Sequence, residues 1–263
     1  MKDNVIQINI GKELQKGMRL HQAGEYQKAE ITYKRILSVR PEHPDALHLL
    51  GVLAHQVGKN DIAVQLIQKA IRQVPANPYF YNNLGAAYQM LKQWDNALAS
   101  YQKALSLKAD YAEAFHNMGN VFKAQHRNDD ALDAYRKALA LKADYTEAWH
   151  NIGNIYKQEG DLDQALSCYG KALEIDPANY RSYNNIGNIY KEKAEKEQAV
   201  SAYRKALALK PDYAEAHNNL GTVYKEMGNA EEAVVCYQKA LQYNPQLVEA
   251  YNNLGGAFQE LGK

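Results

Sequence analysis

The sequence holds two cysteines, Cys168 and Cys236, in 263 residues, which excludes a disulfide framework. No apolar run approaches the roughly 18 residues that a membrane-spanning helix needs, so membrane insertion is not expected. The opening MKDNVIQINI lacks the apolar stretch and cleavage site of a signal peptide. An excess of one charge is also missing. Lys and Arg total 31 against 30 Asp and Glu, a net of +1. A nucleic-acid binder acting through bulk charge shows a strong basic excess, so nucleic acid is not an expected partner. These absences describe a soluble protein of a reducing compartment, and a cytoplasmic location is the expectation. Phe (4) and Trp (2) are scarce, yet Tyr occurs 20 times. A repeat that reuses Tyr at fixed positions accounts for that imbalance.

The repeat is visible once sought. Gly17, Gly51, Gly85, Gly119, Gly153, Gly187, Gly221 and Gly255 follow one another at steps of 34 residues. The same step links Ala29, Ala63, Ala97, Ala131, Ala165, Ala199 and Ala233. It also links Tyr33, Ile67, Tyr101, Tyr135, Tyr169, Tyr203 and Tyr237, and the prolines Pro41, Pro75, Pro177, Pro211 and Pro245. Ala109 and Ala143 stand in for proline in two units. With the glycine set at position 8, units begin at 10, 44, 78, 112, 146, 180, 214 and 248. Seven are complete, and the eighth reaches its position 16. A lead-in of residues 1–9 precedes the array over 10–263.

Each unit reads as two helices. In the fifth, Trp149, Ile152 and Tyr156 form one helical stripe, and Gly160 closes this helix A as glycine does at a C-terminal cap. Asp161 to Gln164 opens helix B, whose stripe is Ala165, Tyr169, Ala172 and Leu173. Pro177 ends it, since proline cannot continue a helix. Gly153 and Ala165 are small so that the two helices approach closely. No segment carries a strand signal.

With an aromatic at position 4 (Tyr81, Phe115, Trp149, Tyr183, Tyr251), Gly at 8, an aromatic at 11 (Tyr88, Phe122, Tyr156, Tyr190, Tyr224, Phe258), Ala at 20 and 27, Tyr at 24 and Pro at 32, the chain resembles the tetratricopeptide repeat family. Units one and two depart from the pattern at position 4, with Glu13 and Leu47, and unit seven has His217 there. The resemblance implies an all-α fold. The expectation is a right-handed α-solenoid, a superhelix of seven complete helix-turn-helix repeats plus helix A of an eighth, with helix A lining the concave side. Neighbouring repeats bury each other's faces, so stability is close to a nearest-neighbour sum.

Catalytic constellations are not found, no phosphate loop is present, and no cofactor is expected. His116 and His150 share position 5 of adjacent units. Equivalent points on packed helices lie about 8–10 Å apart, too far for two ligands each about 2 Å from one zinc. They are therefore read as exposed polar groups of the concave surface, and His43 and His48 as turn and surface residues. Cys168 and Cys236 both occupy position 23, where Ser100, Ala134 and Ala202 stand elsewhere, which marks a small-residue site rather than a redox pair. The tyrosines at positions 11 and 24 belong to packing stripes rather than to a base-stacking platform.

What remains is the groove that the resemblance implies. Position 6 is Asn in six consecutive units, Asn83, Asn117, Asn151, Asn185, Asn219 and Asn253. An asparagine amide carries an acceptor and two donors, so such a ladder can hold an extended peptide backbone with little regard to its side chains. The alternative is a structural role in hydrogen bonds to helix and neighbour. The run is similar to the asparagine ladder of protein O-linked N-acetylglucosamine transferases and kinesin light chains. Asn120, Asn154 and Asn188 lie beside it at position 9, and Lys123, Lys157, Lys191 and Lys225 at position 12. Glu113, Glu147, Glu215 and Glu249 line the other side at position 2. Repeated rows of like charge favour an oriented ligand, although a solvated face with weak ion pairs reads the same way. The basic groups of a carboxylate clamp would stand at positions 2 and 5 or 6, where this chain has mostly Glu, Asn and His, so an acidic C-terminal tail is not the expected ligand.

The function expected is a non-catalytic scaffold for extended protein segments. The alternative is the substrate-recognition region of a larger enzyme, foremost a glycosyltransferase similar to protein O-linked N-acetylglucosamine transferase, with its catalytic domain beyond residue 263. Self-assembly through the array's ends or convex face is the minor reading. The last helix, over EAYNNLGGAFQELGK, places Tyr251, Leu254, Phe258 and Leu261 on one stripe. It keeps Gly255, a close-approach residue without a helix B partner, so an interrupted array is expected there.

Overall fold

The computed structural model describes residues 8–262. Most of the expected lead-in, residues 1–7, lies outside the described residues, as does Lys263. Among the described residues there are fifteen α-helices and no strand. The chain divides between Leu141 and Lys142 into two compact units. The first holds α1 Ile10–Gln22, α2 Tyr26–Val39, α3 Pro44–Gln56, α4 Asn60–Gln73, α5 Pro78–Met90, α6 Trp94–Leu107, α7 Ala112–Ala124 and α8 Asn128–Leu141. The second holds α9 Thr146–Gln158, α10 Leu162–Ile175, α11 Tyr180–Glu192, α12 Lys196–Leu209, α13 Ala214–Glu226, α14 Ala230–Tyr243 and α15 Val248–Glu260. Odd-numbered helices are the A helices and even-numbered ones the B helices. Each A helix begins at the residue where the 34-residue step starts a unit.

Local chemistry sets the ends. Pro44 and Pro78 occupy the first turn of α3 and α5, where a missing N–H costs nothing. Asn77, Asp161 and Asn179 cap the helices that follow them by accepting backbone N–H bonds. His43, expected as a surface turn residue, is itself a cap: its Nδ1 accepts from the Ala46 N–H at 3.3 Å. The residue that turns A into B has positive φ in every repeat. It is glycine at Gly160 (φ 83°), but Lys92, His126 and Ala194 adopt the same left-handed conformation at 57–59°, at a steric cost that glycine avoids.

The core of each repeat is a tyrosine. Tyr33, Tyr101, Tyr135, Tyr169, Tyr203 and Tyr237 are fully buried, and Ile67 takes that place in the second repeat. Each burial is worth about 1.5–3 kcal/mol. The alanines at position 20 are equally sealed, which keeps helix B close to helix A. Yet the residue lying across the position-8 glycine is the tyrosine rather than the alanine. A Cβ added to Gly153 would stand 2.7 Å from Cε1 of Tyr169. Gly255 is the contrast, since a Cβ there meets nothing within 4 Å. In α15, Leu254, Phe258 and Leu261 pack on Ala233, Val234 and Tyr237, but Tyr251 is 54% exposed. The position-4 rings Trp149 and Tyr183 pack beneath a lysine of their own helix B, and no helix B follows α15 among the described residues.

Candidate binding surface on the A helices

The six position-6 asparagines are all half-buried, and five of them show where their amide nitrogens go. Nδ2 of Asn117 donates to Oδ1 of Asn82 at 3.1 Å, and that of Asn253 to Oδ1 of Asn218 at 3.0 Å. Nδ2 of Asn83 lies 2.8 Å from Nε2 of His48. Each of these acceptors is the position-5 residue of the preceding repeat. Asn185 instead reaches the position-9 residue of the preceding repeat, Oδ1 of Asn154, at 2.9 Å. Asn219 does both, donating to Asn184 at 3.3 Å and to Asn188 at 3.1 Å. The run is thus a set of stitches between successive A helices. Asn151 also makes interactions of its own.

Position 9 ties these stitches to the core. Tyr135, Tyr169 and Tyr203 donate their buried hydroxyls to Oδ1 of Asn120, Asn154 and Asn188 at 2.7–2.8 Å. Asn154 and Asn188 therefore each accept from their own repeat's tyrosine and from the next repeat's asparagine. Burial raises the phenol pKa at all three tyrosines, so each hydroxyl remains a donor. The position-5 asparagines Asn82, Asn184 and Asn218, 1–5% exposed, complete the arrangement. Sequence reasoning did not single them out, although their recurrence one residue before the run was the available signal.

The lysine row is half-buried. Burial holds Lys123 and Lys157 below the ordinary lysine value, and at Lys157 the charge of Glu192 acts in the opposite sense. Lys225 pairs with Glu260 of the next repeat at 3.3 Å. In the opposite row Glu113 accepts from Nδ2 of Asn82 at 3.1 Å, while Glu147, Glu215 and Glu249 are exposed.

The histidines differ from expectation. His116 is 8% exposed and packs on Tyr135, with ring centroids 5.5 Å apart. His150 packs on Tyr169 at 5.4 Å and meets Oγ of the buried Ser182 at 2.9 Å. Neither is an exposed polar group, because position 5 turns toward the core tyrosine of its own repeat. His48 is not a surface residue either. It stacks on Phe80 at 4.3 Å, and burial lowers its pKa to about 4. Cys168 and Cys236 are free and buried, and burial raises the Cys236 thiol to about 11, far from the thiolate that reactivity needs. Among the described residues no group of three or more His, Cys, Asp or Glu is placed to hold a metal, and no helix is long and apolar enough to cross a membrane.

Comparison with known proteins gives the family. The TPR repeat profile matches residues 153–194, 195–228 and 223–262, and a second tetratricopeptide repeat profile matches 79–144, together well over half of the chain. The chain belongs to the tetratricopeptide repeat family. Among solved TPR-like structures, MamA is 27% identical over 61% of this chain and 94% of its own, with a TM-score of 0.54. YrrB, described as a TPR protein with an unusual peptide-binding site, is 24% identical over 71% of this chain and 96% of its own, with a TM-score of 0.55. A tetratricopeptide repeat protein from Parabacteroides merdae ATCC 43184 is 18% identical over 95% of this chain and 98% of its own, with a TM-score of 0.70. The last two likenesses are of fold. A search of curated proteins returned no match. In TPR terms, the stitched asparagines all stand on the A helices of consecutive repeats.

Proposed function

We propose that the chain is a non-catalytic interaction scaffold that takes an extended protein segment along its A helices. Family membership supports the ligand class, and the asparagine geometry supports the place. The observation that carries the reading is the half-spent amide. Asn117 and Asn253 each use one N–H on the neighbouring repeat and keep a second N–H, whereas Asn185 spends its amide nitrogen on Asn154 and the Tyr169 hydroxyl. All three keep an oxygen for which no bond is found among the described residues. Anchored in this way, the side chain is oriented before a ligand arrives, which lowers the entropy lost on binding. Asn219 also has both of its N–H groups engaged, and it offers a peptide only its oxygen. In the second unit the half-buried lysines Lys157 and Lys191 favour acidic side chains on one edge of the segment. The exposed Glu147, Glu215 and Glu249 favour basic ones on the other.

The test is a peptide-library pull-down with the chain and with the Asn185→Ala/Asn253→Ala double variant, both changes within the second unit. Two hydrogen bonds at about 1 kcal/mol each give a loss of roughly tenfold or more in affinity. Unchanged binding by a folded double variant refutes the reading. The unbroken asparagine run also suits the substrate-selecting array of a larger enzyme of the protein O-linked N-acetylglucosamine transferase kind. The reading frame after Lys263 separates the two: a glycosyltransferase domain there supports the enzyme, and an early stop codon the free scaffold.

A further inference from the structure

Position 4 of the seventh repeat is His217, a smaller ring than the Trp149 and Tyr183 of the two repeats before it, and its imidazole stacks on Tyr243 with centroids 5.7 Å apart. In the fifth, Trp149 donates its indole N–H to the Ala143 carbonyl at 3.2 Å, and Lys171 lies 4.2 Å over the ring. In the sixth, Lys205 lies 5.6 Å over Tyr183. In the seventh, His217 keeps the polar anchor, with Nε2 2.9 Å from the carbonyl of Pro211, the residue equivalent to Ala143. It is 7% exposed, but an imidazole is smaller than an indole or a phenol. Lys239, the equivalent of Lys171 and Lys205, borders a cavity of about 530 Å³, a size typical of ligand sites.

The cavity's walls say what fits it. Leu207 and Leu220 line its interior, and its mouth lies along α14, where Val235 and Tyr243 are 50% and 44% exposed. Arg204 stands on the other rim, held there by donating from Nη2 to the Tyr224 hydroxyl at 2.6 Å. Burial and the charge of Lys239 hold His217 below the ordinary histidine value, so near neutral pH the charges at the site are Arg204 and Lys239 against Glu232. An apolar interior under a cation matches the face of an aromatic ring, and a net positive rim matches acidic neighbours of that ring. The exposed apolar mouth resembles a protein contact more than an enclosed small-molecule site.

We propose that this cavity receives an aromatic side chain flanked by acidic residues from a partner protein, its ring lying beneath Lys239 as the position-4 ring lies beneath lysine in the fifth and sixth repeats. The site is separate from the asparagine surface and does not depend on it. The probes are the blocked peptides acetyl-Glu-Trp-Glu-amide and acetyl-Glu-Ala-Glu-amide, and indole alone, titrated into the intact chain while the amide resonances of Val235, Lys239 and Tyr243 are followed. The tryptophan peptide should shift these resonances saturably and bind at least tenfold more tightly than the alanine peptide. His217→Trp, which restores the repeat's own filler, should abolish the shifts and raise Tm by a few degrees. Val235→Asn, at the exposed mouth, should weaken binding severalfold and covers the case in which His217→Trp does not fold. The proposal is overturned by the absence of saturable shifts, by equal affinity for the two peptides, or by binding that survives a folded variant. Indole binding as tightly as the tryptophan peptide also overturns it, in favour of a small-molecule site.

Discussion

Position 8 is glycine in every repeat, yet the same substitution should have opposite signs at two of these sites. Alanine in a helix interior is about 1 kcal/mol more favourable than glycine. At Gly255 a Cβ meets nothing within 4 Å, so Gly255→Ala should realise most of that gain, about 0.5–1 kcal/mol. At Gly153 the Cβ would stand 2.7 Å from Cε1 and 2.9 Å from Cδ1 of Tyr169. Carbon atoms in contact sit at about 3.5–4.0 Å, so the ring must move by roughly 1 Å. It has little room: it is fully buried, and its hydroxyl is bonded to Asn154. Overpacking costs about 1–3 kcal/mol, and loosening the hydroxyl bond adds about 1 kcal/mol. Net of the helix gain, Gly153→Ala should destabilise by about 1–3 kcal/mol. Urea unfolding followed by circular dichroism reads both variants against the parent, with a constant m-value as the check that the midpoint reports stability. A Gly153→Ala protein as stable as its parent would refute the packing account, as would a Gly255→Ala protein destabilised to the same degree.

Two further outcomes follow from the polar contacts. Asn219→Ala removes the donor from Oδ1 of both Asn184 and Asn188, and Asn184 is only 5% exposed. The expected cost is about 1–3 kcal/mol by urea unfolding, and a value within about 0.5 kcal/mol of zero, as for an ordinary surface change, would contradict the stitching. His48 has its folded pKa lowered to about 4 from 6.5, so between those values the unfolded chain binds the extra proton. Its contribution is intact above pH 6.5 and lost as the pH falls toward 4, at a limiting slope of about 1.4 kcal/mol per unit. His48→Gln should flatten the fall in urea midpoint between pH 7 and pH 5, and an unchanged slope in that variant would remove His48 as its cause.

Much of this fold is legible in the sequence because the repeat supplies several independent registers that agree. The glycine, alanine and tyrosine series share one step, and the helices start where that step places them. Tyr169 could be assigned to the core from its stripe alone. The direction of polar side chains was less accessible. His116 and His48 sit on the helix expected to carry the ligand surface, and only the packed geometry shows that position 5 turns toward an aromatic ring. The asparagines of position 6 are conspicuous by recurrence. That their amide nitrogens bind the preceding repeat depends on how far apart successive A helices lie, a distance that no single helix encodes. His217 is the converse case, where a visible departure from the pattern marks a packing gap.

The tyrosine-to-asparagine bonds have a mechanical consequence in the second unit. Through Asn154 and Asn188, the centre of one hairpin is fastened to the outer face of the next, so tension along these hairpins is shared between buried and exposed parts. At the seventh repeat the fastening changes. Position 9 is Thr222, which lies 3.4 Å from the Tyr237 hydroxyl and gives its own proton to the backbone carbonyl of Asn218. The joint to α15 then rests on the amide hydrogen bond from Asn253 to Asn218, the half-exposed Lys225–Glu260 ion pair and the contacts of Leu254, Phe258 and Leu261. Under load, that joint is the seam at which this unit should part first, leaving the tyrosine-pinned hairpins to yield later and together.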